Sequence, residues 1–338
     1  MLVPGSIPKI TRSVVLPILQ SYGLFSNFAP LKKRGKIGFL LAVKIITTIG
    51  VGIYLYSKIK SGTFNIDYTA ANPWFLLAAF ALTPLNWLVE SLKWKILAAQ
   101  VETISTWTAV KATLAGLASS VITPFRLGDP LGKVLFLQEG NRVQGGFLSV
   151  TGSLIQLAVT IIAGVVGLIA ASFSMAADIF SSYYYTGVFV IAIAALASVV
   201  AFYYINEKHA ETLKATLEIG IKKLATVFLL SSFRYALFII QFMLTFFAYG
   251  DFSPVSIAIL VPVYFFVAAF VPMFIVTEGP TRGAIALAVF VGLSHAFSVA
   301  TTVWIINLLI PAVVGLIFIW QHKSNNPTSE PVNLHPEN

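Results

Sequence analysis

The chain has no cysteine, so it can hold no disulfide, thiol nucleophile or thiolate metal site. Its four histidines, His209, His295, His322 and His335, are scattered without metal-ligand spacing, and no metal site is expected. Charge is scarce: 10% of the 338 residues are charged, against about 25% in an average soluble domain. Acidic residues are missing altogether before Asp67. No Walker A sequence occurs, because Gly132-Lys133 is followed by Val134 and lacks the upstream glycine. That excludes a built-in ATP-driven motor of this type. There is no Gly-x-Ser-x-Gly elbow either. With no catalytic motif and no cofactor signature, the sequence favours a non-enzymatic role.

What fills the chain instead is apolar. Hydrophobic residues make up 57% of it, and the mean hydropathy is +0.87. The stretches Phe147 to Phe173 and Tyr183 to Ile205 contain no Asp, Glu, Lys, Arg or His. A bilayer crossing needs roughly 20 such residues, and backbone in lipid must satisfy its own hydrogen bonds as helix. Two stretches of this kind exclude a soluble protein. The net charge of +9 then reads as topology and contact with anionic headgroups, because cytoplasmic loops collect Lys and Arg. Nucleic acid is not an expected partner. The N-terminal apolar stretch, Val14 to Leu19, is short, contains Pro17 and lacks a small-residue cleavage site, so no cleavable signal is expected.

Lys9, Arg12, Lys32, Lys33, Arg34 and Lys36 form a basic segment over residues 1–36, which is expected in the cytoplasm, with a surface-lying helix over residues 10–30. The expected membrane domain runs from 37 to 320. Its first span is Ile37 to Tyr56, with Lys44 snorkelling, and its second is Trp74 to Leu97. Asn86, Glu90 and Lys93 in that second span share one helical face. Thr103 to Thr123 follows, with Ala112, Gly116 and Ser120 as a stripe of small residues that lets helices approach closely. It stops at a break over residues 124–130, where two prolines and a glycine interrupt the helix. Residues 206–225 are charged with mixed sign and read as a cytoplasmic helical link. Val227 to Tyr249 and Val255 to Val276 are further apolar stretches, followed by a second break over residues 277–283. Val299 to Trp320 is the last span, and the polar tail 321–338 reads as a disordered cytoplasmic segment. The expected fold is thus an all-α polytopic bundle of about seven spans and two re-entrant hairpins. The first hairpin enters from the cytoplasm and the second from outside, which is the pattern of an inverted repeat around a transport site.

Charge inside a membrane costs on the order of 3 kcal/mol per residue. Both breaks carry it: Arg126 with Asp129, and Glu278 with Arg282. Pairing of each Arg with its local acid, which merely holds the break, is the plain alternative. The functional reading makes Arg126, Gly128, Asp129, Glu278, Thr281 and Arg282 a headgroup or phosphate site. Asp129-Pro130 and Thr281 are the expected starts of short helices whose positive ends face an anion, and arginine adds a planar fork suited to phosphate. Asn86, Glu90, Lys93 and Arg234 are placed on the access path. Lys93 paired with Glu90 is the plain alternative there, and Arg234 has no partner recognisable from sequence. Asn307 reads as interhelical glue.

Asn86, the segment Leu92-Lys93-Trp94-Lys95, Gly116, and Ile122-Thr123-Pro124-Phe125-Arg126-Leu127-Gly128-Asp129 resemble the lysylphosphatidylglycerol synthase transmembrane-region family, also called flippase-like domain proteins. The resemblance covers about residues 35–320. Phe125 stands where the family usually has Gly, Asp129 replaces Glu, and Arg282 is followed by Gly283 rather than Glu. It implies the flippase-like membrane portion without an aminoacyltransferase domain; a cell membrane is the expected location, with both termini cytoplasmic from the basic N-terminal segment and the polar tail. The function that follows is movement of an anionic or phosphate-bearing lipid, or its headgroup, between leaflets. An accessory or glycosyltransferase-like role in polyprenyl-linked glycan or other lipid synthesis is the alternative. The expected partner is a membrane lipid, with homo-oligomerisation left open.

Overall fold

The structure is a computed structural model that describes residues 45, 48–60, 67–122, 128–174, 219–271, 273, 275–290 and 292–325. The basic segment 1–36, Lys44, Arg126, the stretch Tyr183 to Ile205, most of the link 206–225 and the tail from residue 326 lie outside the described residues. All regular structure among the described residues is helical. Helix α1 covers residues 48–60. Then come α2 (Pro73–Ala81), α3 (Thr83–Ala98), α4 (Thr106–Ile122), α5 (Gly128–Val134) and α6 (Arg142–Ser174). They are followed by α7 (Ile221–Ala248), α8 (Pro254–Phe270), α9 (Ile275–Val289), α10 (Ala296–Trp304), a π turn over Ile305–Leu309, and α11 (Ile310–Asn325).

Among the described residues, four helical stretches are long and apolar enough to cross a bilayer: Pro73–Ala98, Glu139–Phe173, Ile221–Ala248 and Ala296–His322. Each matches a span read from the sequence. The first is jointed at Leu82, ahead of Pro84; Asn72 caps its start by accepting from the Trp74 amide at 3.1 Å. Apolar side chains cover the outside of these helices. Ile162, Val166 and Ile169 on α6 are exposed at helical spacing, as are Val313, Leu316, Ile317 and Trp320 on α11. In lipid such a surface carries no penalty, and what holds the helices together is close packing.

Small residues make that packing. A Cβ at Gly132 of α5 would fall on the backbone carbonyl of Ala115 in α4. One at Gly315 of α11 would fall on the carbonyl of Leu114. The stripe Ala112, Gly116 and Ser120 is buried between these neighbours. A second core, around Phe242, Phe246, Tyr264 and Phe290, ties α7, α8 and α9 together.

The second break is placed differently from expectation. Residues 277–283 lie inside α9, with Pro280 as a helix residue. The chain leaves helix earlier, after Phe270, and re-enters it at Ile275. Proline has a helix-compatible φ and forfeits one backbone bond there. Thr281, Ala284 and Ala286 are buried on the same helix, so packing retains it. Thr281 is therefore an interior residue and not the start of a helix. At the first break the chain returns to helix at Gly128, so Asp129 and Pro130 stand in the first turn of α5.

The ends of the bundle are well defined. The Asn72 amide donates to Ala248 O at 3.0 Å, and the His295 ring faces Asp251 at 3.3 Å, which puts the starts of α2 and α10 beside the end of α7. Asp67 is at this end too; the Thr69 amide donates to its carboxylate at 2.7 Å and holds its pKa below the ordinary value. At the opposite end Glu102 accepts from Gln138 N and Asn141 Nδ2, and Lys223 donates to Gln100.

Candidate substrate site: a buried charged network and its cavity

Glu90 is the hub of a network that joins four helices. Its Oε2 accepts from Lys93 Nζ at 3.0 Å and lies 3.1 Å from Arg234 Nη1. Its Oε1 takes Lys133 Nζ at 3.1 Å, and Lys133 also reaches Asp129 Oδ2 at 2.9 Å. Lys93 donates further to Gln156 Oε1 at 3.0 Å. The helical period explains the arrangement. Asn86, Glu90 and Lys93 face the interior from α3, while Asp129 and Lys133 stand one turn apart on α5. Lys93 and Lys133 are 1% and 4% exposed. Buried ammonium groups of this kind persist only when paired and hydrogen-bonded.

A polar chain extends the network toward the centre of the bundle. Arg234 Nε donates to Asn86 Oδ1 at 2.7 Å, and Asn86 Nδ2 donates to Asn307 Oδ1 at 3.1 Å. Asn307 sits in the π turn Ile305–Leu309. A π turn widens the helix locally and re-aims the residue it carries. Arg234 is near the midpoint of the 28-residue α7. It is thus about 20 Å from either helix end at ~1.5 Å rise per residue.

Beside this network lies a cavity of about 260 Å³, lined by residues of α4, α6, α7, α8, α9, α10 and the π turn. Arg234, Arg282, Gln156, Thr160 and Asn307 are its main polar wall residues. Arg282 comes from α9 and is held by Glu278, one turn earlier, at 3.0 Å. It also lies within reach of the Tyr264 hydroxyl from α8. The guanidinium of Arg234 packs over the Phe238 ring, 5.1 Å from its centroid. Arg234 uses Nε and Nη1 in the bonds described, and Arg282 uses Nε toward Glu278. A guanidinium has five donors in a fork, so each keeps N–H groups for a ligand.

Of the residues singled out from sequence, Asn86, Glu90, Lys93, Asp129 and Arg234 come together in one network. Glu278 and Arg282 form the second pair, and Arg282 faces the cavity. Thr281 is buried on α9. Gly128 opens α5, and Arg126 is outside the described residues. Asp129 is tied to Lys133, and Arg234, which had no recognisable partner, has Glu90 and Asn86. Lys133, Gln156 and Tyr264 are the residues sequence reasoning missed. Lys133 had a signal: a lysine four residues after Asp129 on a short helix. Gln156 and Tyr264 had none, since each lies in a long apolar stretch.

The family model described as the lysylphosphatidylglycerol synthase TM region matches residues 39–315. No curated protein and no solved structure matches the chain.

Proposed function

The chain belongs to the lysylphosphatidylglycerol synthase TM-region family and is a multi-pass, lipid-related membrane protein; from that premise we propose that it moves a lipid with an anionic headgroup between leaflets. The observation that carries this reading is the cavity beside the midpoint of α7, with Arg234 and Arg282 among its lining residues. An anion gains most from such donors where water is excluded. The carboxylates hold the arginines: Glu90 with Asn86 orients Arg234, and Glu278 orients Arg282. Lys133 ties the α5 arm to the same hub through Asp129. Arg126 is assigned to the same headgroup by its place in the family-like motif.

We read α4 with α5 and α8 with α9 as two re-entrant arms, which makes an inverted repeat the working architecture. In support, these helices have 17, 7, 17 and 15 residues, fewer than the roughly 20 needed to cross. Both arms contribute to the cavity, through Leu117 and through Tyr264 and Arg282. Movement of one arm against the rest would open the cavity to one leaflet at a time.

The test is leaflet exchange of a tail-labelled phosphatidylglycerol in proteoliposomes. A charge-assisted hydrogen bond is worth roughly 1.5–3 kcal/mol, so Arg234→Gln and Arg282→Gln should each slow exchange about tenfold or more. Wild-type exchange rates in both variants would remove this cavity as the route.

A further inference from the structure

We infer that the cavity selects an anionic headgroup without an ammonium group, a phosphate bearing hydroxyls, and rejects aminoacylated or ethanolamine headgroups. This rests on the reading of the cavity as the headgroup site. The first ground is the sign of its wall. Among the described lining residues there are two arginines and no Asp or Glu. The nearest acids are already engaged: Glu278 holds Arg282 at 3.0 Å, and Glu90 holds Arg234 at 3.1 Å while also taking Lys93 and Lys133. An ammonium entering the cavity would meet two guanidinium groups with no carboxylate to face it. Like charge at close range costs several kcal/mol.

The second ground is that the aromatic wall does not form a cage for a cation. Such cages need free ring faces. Here Tyr235, Phe238, Phe242, Tyr264 and Phe265 face one another or a protein cation, which leaves Trp304 as a single further ring in the lining, too few for a cage. Phe238 packs under Arg234, and its ring is 5.4 Å from that of Phe265. Phe242 packs on Tyr264 at 5.1 Å, and Tyr264 on Phe265 at 5.3 Å. They close an apolar wall suited to the glycerol backbone and chain carbons of a lipid.

Short-chain dihexanoyl lipids test this by competition against a fluorescent phosphatidylglycerol bound to the purified full chain. Phosphatidylglycerol should compete about tenfold or more better than phosphatidylethanolamine or lysyl-phosphatidylglycerol. Thr160→Asp, which puts a carboxylate into the wall, should reduce that preference to within threefold by admitting the amine-bearing lipids. Equal or tighter competition by either amine-bearing lipid, abolished by Arg282→Gln, overturns the inference and leaves the cavity as the headgroup site. Binding that Arg282→Gln does not weaken removes the site itself, and the inference with it.

Discussion

Glu90 accepts from three cations on two oxygens, and its loss would leave Lys93, Lys133 and Arg234 with one described acid, Asp129, among them. Breaking a buried pair by removing one partner typically costs about 3–5 kcal/mol. Glu90→Gln should therefore lower the thermal midpoint in detergent sharply. Lys93→Met on that background should recover part of the loss, because Glu90 is the only acid described against Lys93, whereas Lys133 keeps Asp129. Equal midpoints for the single and double variants would show that Lys93 is not coupled to Glu90. Asn86→Leu should do less to stability, since interhelical hydrogen bonds in membranes average about 0.6 kcal/mol, and more to exchange, because Asn86 orients Arg234. At this scale the sequence was partly legible. The spacing of Asn86, Glu90 and Lys93 defines one helical face, and that face is buried. The cation that Glu90 takes from Arg234 lies 144 residues away, and no local pattern encodes such a partner. Lys133 stands four residues after Asp129, a local signal of the pair, set in the apolar run Leu131 to Leu137.

Among the helices, the close approaches of α4 decide most. Gly315 lies against the Leu114 carbonyl and Gly132 against that of Ala115, so α4 is clamped between α11 and α5. Gly315→Val should cost about 1–3 kcal/mol or more through overpacking, seen as a lower thermal midpoint and loss of monodisperse protein. The small-residue stripe on α4 was readable because it needs only four-residue spacing. The second break was not, and the reason lies in α9. Glycine and proline close together resemble a stop, yet Pro280 is in the second turn of its helix, and a single missing bond there is outweighed by the burial of Thr281, Ala284, Ile285 and Ala286. Pro280→Ala tests the placement. Within a continuous helix it restores an N–H and should leave the midpoint unchanged or slightly raised. A large drop would mean that proline sets a break there. The π turn at Asn307 was readable only through Pro311, whose missing N–H removes the helical bond to the Asn307 carbonyl.

At the scale of the bundle the two ends differ in charge among the described residues, and this predicts a direction. Lys95, Lys111, Arg142, Lys222 and Lys223 gather toward the end that holds Glu102 and the loop Gln138–Asn141. The other end has Asp67, Asp251 and His295, and the described cations nearest to it in sequence are Lys58 and Lys60. Lysine and arginine counts set orientation, while acids contribute little. Among the described residues, five cations against two predict that the Glu102 end faces the cytoplasm. The chain is suited to a direct test because it has no native cysteine, so single-cysteine variants carry no background. Glu139 at one end and Phe252 at the other are both exposed and remote from the cavity. In intact cells a membrane-impermeant maleimide should label Phe252→Cys, and it should label Glu139→Cys only after permeabilisation. The reverse pattern would invert the bundle. Arg234 would remain at mid-depth in either case, since it is near the midpoint of α7, but the leaflet from which a lipid first meets the α4–α5 arm would be exchanged.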